Sequence, residues 1–275
     1  MVFLPDLSIE VIHDRVPRGG LKHALFDFDG TLSLIRQGWQ QVMNPLMLEV
    51  LTNTPHHEPQ NELENIISRF IDRTTGMQTI YQMMGLADLV RDRGAIPLDP
   101  KEYKRIYQER LWQRIEHRVR GLRDGSLSKE AYLVPGSVSL LKELQRKGVI
   151  CYLASGTDIE YVRDEAAVLG LGGYFRGGIY GALENLEDYS KAKVIANILS
   201  SYHLQGHSLV TFGDGYVEIE NTVAVGGLAV GVASDESQPG HLDSWKRERL
   251  IQAGAQVIIP DFTALQALLA FLLGS

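Results

Sequence analysis

Ala24-Leu25-Phe26-Asp27-Phe28-Asp29-Gly30-Thr31 is the stretch whose reading decides the fold. An apolar run, Leu21 to Phe28, reads as a strand, and it ends in two carboxylates two positions apart before a Gly-Thr turn. In a strand, residues i and i+2 point the same way. Asp27 and Asp29 therefore project into one small volume. Two close carboxylates repel unless a cation holds them together or one takes a proton. A cost of that kind at the end of a buried strand points to a chemical use.

Downstream of Gly125, strands and helices alternate. Pro135-Gly136 opens a helix through Leu140, Leu141 and Leu144 that stops near Gly148, and Val149 to Ala154 follows as a strand. Asp158 to Leu169 reads as a helix, Ile179-Tyr180 as a short strand and Lys191 to Ser201 as a helix. Ser208 to Phe212 and Leu228 to Val232 read as strands around a helix from Glu218 to Val225. Gln256 to Ile259 is a last strand and Thr263 to Leu272 a closing helix. This succession predicts an α/β fold, a Rossmann-like doubly wound parallel sheet covered on both faces. Upstream, Ser8 to His13 predicts a short extra strand, and Pro17-Arg18-Gly19-Gly20 a turn.

From Gly38 to about Arg123 the pattern is helical instead. Val42, Leu46, Leu48 and Val50 mark one apolar segment. Leu63, Ile66, Ile67, Phe70 and Ile71 recur at helical spacing, and Tyr103, Ile106, Tyr107, Leu111 and Ile115 mark a longer amphipathic helix. Met77, Met83 and Met84 read as core of this helical part. Thr52 to Pro59 and Gly94 to Pro100 read as loops, with Pro100 suited to a helix start. Arg73 to Thr79, polar and carrying Gly76, reads as a loop between two helices.

The chain has 275 residues, 44% of them hydrophobic and 22% charged, with a net charge of −7. That length suits one α/β domain with an inserted helical unit. The acidic balance argues against a nucleic-acid partner, and the most basic stretch, Lys101 to Arg123, is interleaved with Glu102, Glu109 and Glu116 as on a solvated helix face. Cys151 is the single cysteine, set in the apolar run Val149 to Leu153. It reads as a buried, inert thiol in a reducing compartment. No apolar run reaches the length of a membrane span, and Met1 to Asp6 lacks the basic start and apolar core of a signal peptide. The expectation is a cytoplasmic protein without a membrane partner. Oligomeric state is not legible.

In doubly wound sheets, ligands sit beyond the carboxyl ends of the strands. Four places there carry suitable groups: Asp27 with Asp29, Ser155-Gly156-Thr157, Lys191 after Asp188-Tyr189-Ser190, and Gly213-Asp214-Gly215 with Glu218 a turn further on. Singly, each is a common cap, turn or solvated side chain. Together, in this order, they suit phosphoryl transfer. A carboxylate nucleophile splits hydrolysis into two easier steps, and a second carboxyl protonates the departing alkoxide and then deprotonates water. Mg²⁺ takes hard oxygen ligands, which Asp27 and Asp214 supply. A hydroxyl, backbone N–H groups and a Lys ammonium meet the charge spread over the phosphoryl oxygens.

The four segments resemble the motifs of the haloacid dehalogenase superfamily. Asp27-Phe28-Asp29-Gly30-Thr31 matches the first motif in full, Ser155 the second, Lys191 the third and Asp214 the acidic fourth. Lys193 is a second candidate for the third motif, but Lys191 lies at the helix start. The resemblance implies a phosphatase in which Asp27 is the nucleophile and Asp29 the general acid/base. Ser155, Gly156 and Lys191 would hold the phosphoryl group. Asp27, Asp214 and the backbone carbonyl of Asp29 would bind Mg²⁺. Glu218, one methylene longer than the Asp often found there, would act through a water or by bonding Lys191. The implied domains are a catalytic core over residues 1–35 and 125–275 and a helical cap over 36–124. Arg36, Gln37 and Trp39 would lie over the site, and Arg36, Arg73 and Gln78 would select the substrate. That substrate would be a small phosphorylated metabolite such as a sugar phosphate. A phosphomutase acting on a sugar phosphate, or a binding module on the same fold, are the alternatives.

Overall fold

The computed structural model describes residues 2–3, 9–13 and 19–274. The chain divides into two compact units, Met1–Gln37 with Gly121–Ser275, and Gly38–Arg120. The first is built on the sheet. Its strands are β1 (Val2–Phe3), β2 (Glu10–Val11), β3 (His23–Phe26), β4 (Ile150–Asp158), β5 (Ile179–Ala182), β6 (Leu209–Gly213), β7 (Leu228–Val232) and β8 (Val257–Ile259). They lie in the order β1-β2-β8-β7-β6-β3-β4-β5. From β8 to β5 every pairing is parallel, while β1 and β2 extend the β8 edge antiparallel. The sequence pattern implied this doubly wound sheet.

Register explains where chemistry collects. His23 lies opposite both Ile150 and Leu209, and Phe26 opposite both Leu153 and Phe212. The residues after these strands therefore emerge side by side. β3 is central and buried along its length, so it has no polar alternation. Phe26 and Phe212 stack at 4.7 Å, and Phe262 packs edge-on against both. Burying each such ring contributes about 1.5–3 kcal/mol.

The helices of this unit are α5 (Ser137–Arg146), α6 (Ile159–Val168), α7 (Lys191–Ser201), α8 (Tyr216–Ala224), α9 (Ser244–Gln252) and α10 (Leu265–Leu273). Ser190 caps α7, its Oγ accepting from Lys193 N at 3.1 Å. Three differences from the sequence reading stand out. The expected strand from Ser8 is only two residues long, Ser8 itself and Pro17-Arg18 lying outside the described residues. β4 runs on to Asp158 because β5 pairs with it at Ala154 and again at Asp158, so Ser155-Gly156-Thr157 is extended chain. And α9 was not foreseen, because Lys246-Arg247-Glu248-Arg249 has little apolar periodicity.

The second unit is helical: α1 (Gln40–Thr52), α2 (Gln60–Thr74), α3 (Thr79–Asp92) and most of α4 (Pro100–Asp124). Its buried stripe on α1 is Met43, Leu46, Met47 and Leu51, whereas Val42, Leu48 and Val50 from the expected set are only half-buried. Met83 is buried on α3 in step with Ile80, Ala87 and Val90. Met77 and Met84 are exposed, a correction to their reading as core: Met84 lies off that stripe and Met77 precedes the helix. Arg73 and Thr74 close α2 rather than lying in the loop. The buried Arg93 guanidinium donates to both oxygens of Glu58 at 2.7 and 2.8 Å and to Leu89 O at 2.8 Å. Among the described residues no helix is long and apolar enough to cross a membrane.

Candidate active site

Asp27 follows β3, its N–H donating to Phe212 O at 2.9 Å. Its carboxylate is buried and meets the ammonium of Lys191, Nζ to Oδ1 at 2.8 Å. The same ammonium donates to Glu218 Oε2 at 2.7 Å, and Glu218 Oε1 accepts from Gly215 N–H, at the start of α8, at 2.8 Å. Burial works against the charge on Lys191, but Asp27 and Glu218 more than offset it and raise its pKa. Burial pushes the Asp27 carboxyl up; Lys191 opposes that shift, while Glu218 and Asp214 add to it.

Asp29 faces the end of β4. Thr157 Oγ1 donates to its Oδ2 at 3.0 Å and Ser155 Oγ at 3.4 Å. Arg36 Nε lies 3.8 Å from Oδ1. Burial raises the Asp29 carboxyl to about 7, with Arg36 pulling down and Glu165 pushing up. A carboxyl near neutrality gives and takes a proton with similar ease. Tyr189 supports this corner by donating its hydroxyl proton to Ser155 O at 2.7 Å.

Asp214 follows β6. Lys246, from α9 and itself buried, reaches Asp214 Oδ2 at 2.8 Å and Glu236 Oε1 at 2.9 Å. Ser234 Oγ donates to Gly30 O at 2.5 Å. Gly30 has φ 74°, and a Cβ there would stand 2.2 Å from Asp214 Oδ2. The turn after Asp29 thus needs glycine for conformation and for room. Carboxylate oxygens of Asp27, Asp214 and Glu218 all lie within 4.8 Å of one another.

The structure brings together Asp27, Asp29, Ser155, Lys191, Asp214 and Glu218, with Gly156 half-buried beside Ser155. Lys193 instead donates its backbone N–H to the Ser190 cap of α7 and turns its ammonium to the Glu187 carbonyl. Arg36, expected in the helical insertion, lies in the sheet unit, engaged by Glu165 at 2.7 Å. Arg73 and Gln78 belong to the helical unit. Arg73 is exposed on α2 and donates to Arg69 O at 3.3 Å, and Gln78 is buried at the start of α3. Sequence reading placed Thr157 in the Ser155-Gly156-Thr157 segment without assigning it a role, and it missed Glu165, Glu236 and Lys246. Ser234 and Glu236 follow β7, so the strand-end rule would have found them. Lys246 carried no signal in a charged run.

The molecule is thus a doubly wound α/β protein with buried carboxylates and lysines gathered beyond a central parallel strand. The profile of haloacid dehalogenase-like hydrolases matches residues 21–221. The chain belongs to that family of hydrolase enzymes. No curated protein matches it. Among solved structures, it resembles a predicted phosphoglycolate phosphatase from Haemophilus somnus 129pt at 16% identity and TM-score 0.58, over 90% of this chain and 98% of that one. It also resembles a β-phosphoglucomutase from Clostridium difficile at 13% identity and TM-score 0.59, over 89% and 93%. A predicted phosphatase from Clostridium acetobutylicum gives 16% identity and TM-score 0.56, over 90% and 98%. At these identities the likeness is one of fold.

Proposed function

We propose that the chain is a Mg²⁺-dependent phosphatase acting on a small organic phosphate monoester, such as a sugar phosphate, through an aspartyl phosphate. The observation that carries this reading is the buried Asp27–Lys191–Glu218 chain beside Asp29. It supplies a fixed carboxylate, a fixed cation and a second carboxyl within one strand end. Asp27 attacks phosphorus, its new O–P bond forming as the bond to the leaving group breaks. Asp29 gives its proton to the departing oxygen, then takes one from the water that cleaves the aspartyl phosphate. Ser155, Gly156 and Lys191 hold the phosphoryl oxygens.

The donor set fits Mg²⁺. Asp27, Asp29, Asp214, Glu165, Glu218 and Glu236 face Lys191, Lys246 and Arg36, which leaves negative charge in excess. Both Glu218 oxygens are engaged, so Asp27 and Asp214 would hold the ion with the Asp29 carbonyl, and Glu218 would orient Lys191. When bound, the ion supplies charge neutralisation for carboxylate and phosphoryl oxygens.

Phosphate release from a panel of small monoesters, with Mg²⁺ and with EDTA, tests the proposal. Release that needs metal and vanishes in Asp27→Asn, with the circular dichroism unchanged, is expected. Activity retained in that variant removes Asp27 from the nucleophile role. Conversion of a hexose 1-phosphate to the 6-phosphate without free phosphate makes the enzyme a mutase instead.

A further inference from the structure

Asp29 is bound unevenly. Thr157 and Ser155 hydroxyls both converge on Oδ2, at 3.0 and 3.4 Å. Both hydroxyls hold the same oxygen, so on the other side the rotation of the carboxyl about Cβ–Cγ is set by what faces Oδ1. Oδ1 is buried and accepts no hydrogen bond. Its charged neighbour is Arg36, whose Nε at 3.8 Å is too far for a hydrogen bond but near enough to attract strongly away from bulk water.

Arg36 is itself held firmly. Its Nε donates to both oxygens of Glu165 at 3.1 Å, and Nη2 donates to Oε1 at 2.7 Å. The guanidinium also lies 5.5 Å from the Tyr161 ring centroid. Glu165 is only 2% exposed on α6. A planar, forked guanidinium gripped this way has one orientation. A buried ion pair is seldom more stabilising than apolar side chains of similar volume. Its presence against Asp29 therefore calls for a role other than packing.

We propose that Arg36, aimed by Glu165, is a positioning residue for Asp29: it sets the rotation of the carboxyl about Cβ–Cγ together with the hydroxyls on Oδ2, so that Oδ1 is directed at the oxygen of the departing group. This rests on the reading of Asp29 as proton donor. In that step the Asp27 O–P bond forms, the P–O bond to the leaving group breaks, and the Asp29 proton passes to the leaving oxygen. An alkoxide needs that proton to depart, whereas p-nitrophenolate does not. The ratio kcat/KM covers events up to departure of the leaving group, so it isolates this step from hydrolysis of the aspartyl phosphate.

The test replaces both members of the ion pair together, Arg36→Met with Glu165→Leu, so that Glu165 is not left as a buried charge without its partner. In this variant, kcat/KM for glycerol 2-phosphate is expected to fall roughly 10²-fold, and for p-nitrophenyl phosphate by less than about 3-fold. Arg36→Lys alone, keeping the charge, recovers part of the alkyl activity. Equal loss on both esters, or loss on neither, overturns the role. Asp29→Asn is measured alongside. An alkyl-selective loss there with none in the paired variant removes only the positioning role. No alkyl-selective loss in Asp29→Asn means that the reading of Asp29 has failed. A crystal structure of the paired variant gives a readout independent of turnover: the Asp29 carboxyl is expected to turn about its Cβ–Cγ bond, and an unchanged orientation refutes the inference.

Discussion

At Lys191 one ammonium answers two buried carboxylates, and its removal leaves both without a counter-charge. Breaking a buried pair on one side costs about 3–5 kcal/mol. Lys191→Met is expected to lose stability of that order in urea denaturation with EDTA present. Glu218→Gln, which keeps a group able to bond Gly215 N–H, should lose less. Gly30→Ala meets two penalties. A left-handed backbone costs a residue with a Cβ about 1–2 kcal/mol, and the methyl would press on Asp214 at 2.2 Å. The expected result is a lowered thermal midpoint together with loss of metal-dependent phosphate release. Stability falling while activity stays intact would refute the link to Asp214. Asp27, Asp29, Lys191 and Asp214 were legible because each follows a strand or opens a helix. The grip of Glu165 on Arg36 spans 129 residues of sequence, and no local pattern encodes a pairing that distant.

Among elements, the boundaries that moved are those set by partners. β4 outlasts its apolar run because a neighbouring strand rejoins it at Asp158. The segment containing Ser155 therefore presents its hydroxyl from extended chain, not from a helix start. In the helical unit, Met83, Met84 and Met77 look alike in sequence, but phase on α3 separates buried Met83 from exposed Met84, and Met77 lies before the helix. The tie between Glu58 and Arg93 crosses from the loop before α2 to the end of α3. Hydrogen bonding from Arg93 holds the Glu58 carboxyl below its usual range. A depressed carboxylate stabilises fully above its unfolded value, about 4.3, and the contribution disappears as pH falls through the folded value. Hydrogen-exchange protection near residues 54–60 and 90–95, taken relative to the intrinsic amide rate at each pH, is therefore expected to fall on acidification below that value. Glu58→Gln should abolish the acid-induced change, and an unaltered pH dependence in that variant would assign it to other groups.

For the whole molecule, the alternation after Gly125 announced a parallel sheet but not its strand order. Placing β3 between β4 and β6 depends on matching Phe26 with Leu153 and Phe212, contacts made only in the folded chain. That order lines up the strand ends and so assembles the acidic site. It also places Cys151 directly opposite Ala24 on β3, three positions before Asp27. The thiol is buried, and burial pushes its pKa up to about 12. In the native protein it is expected to ignore a disulfide reagent such as Ellman's at neutral pH, and to react once urea separates the strands. Fast labelling without denaturant would show that the sheet opens under native conditions. As the chain's single thiol, Cys151 makes the rate of its modification a clock for how often the floor beneath Asp27 comes apart.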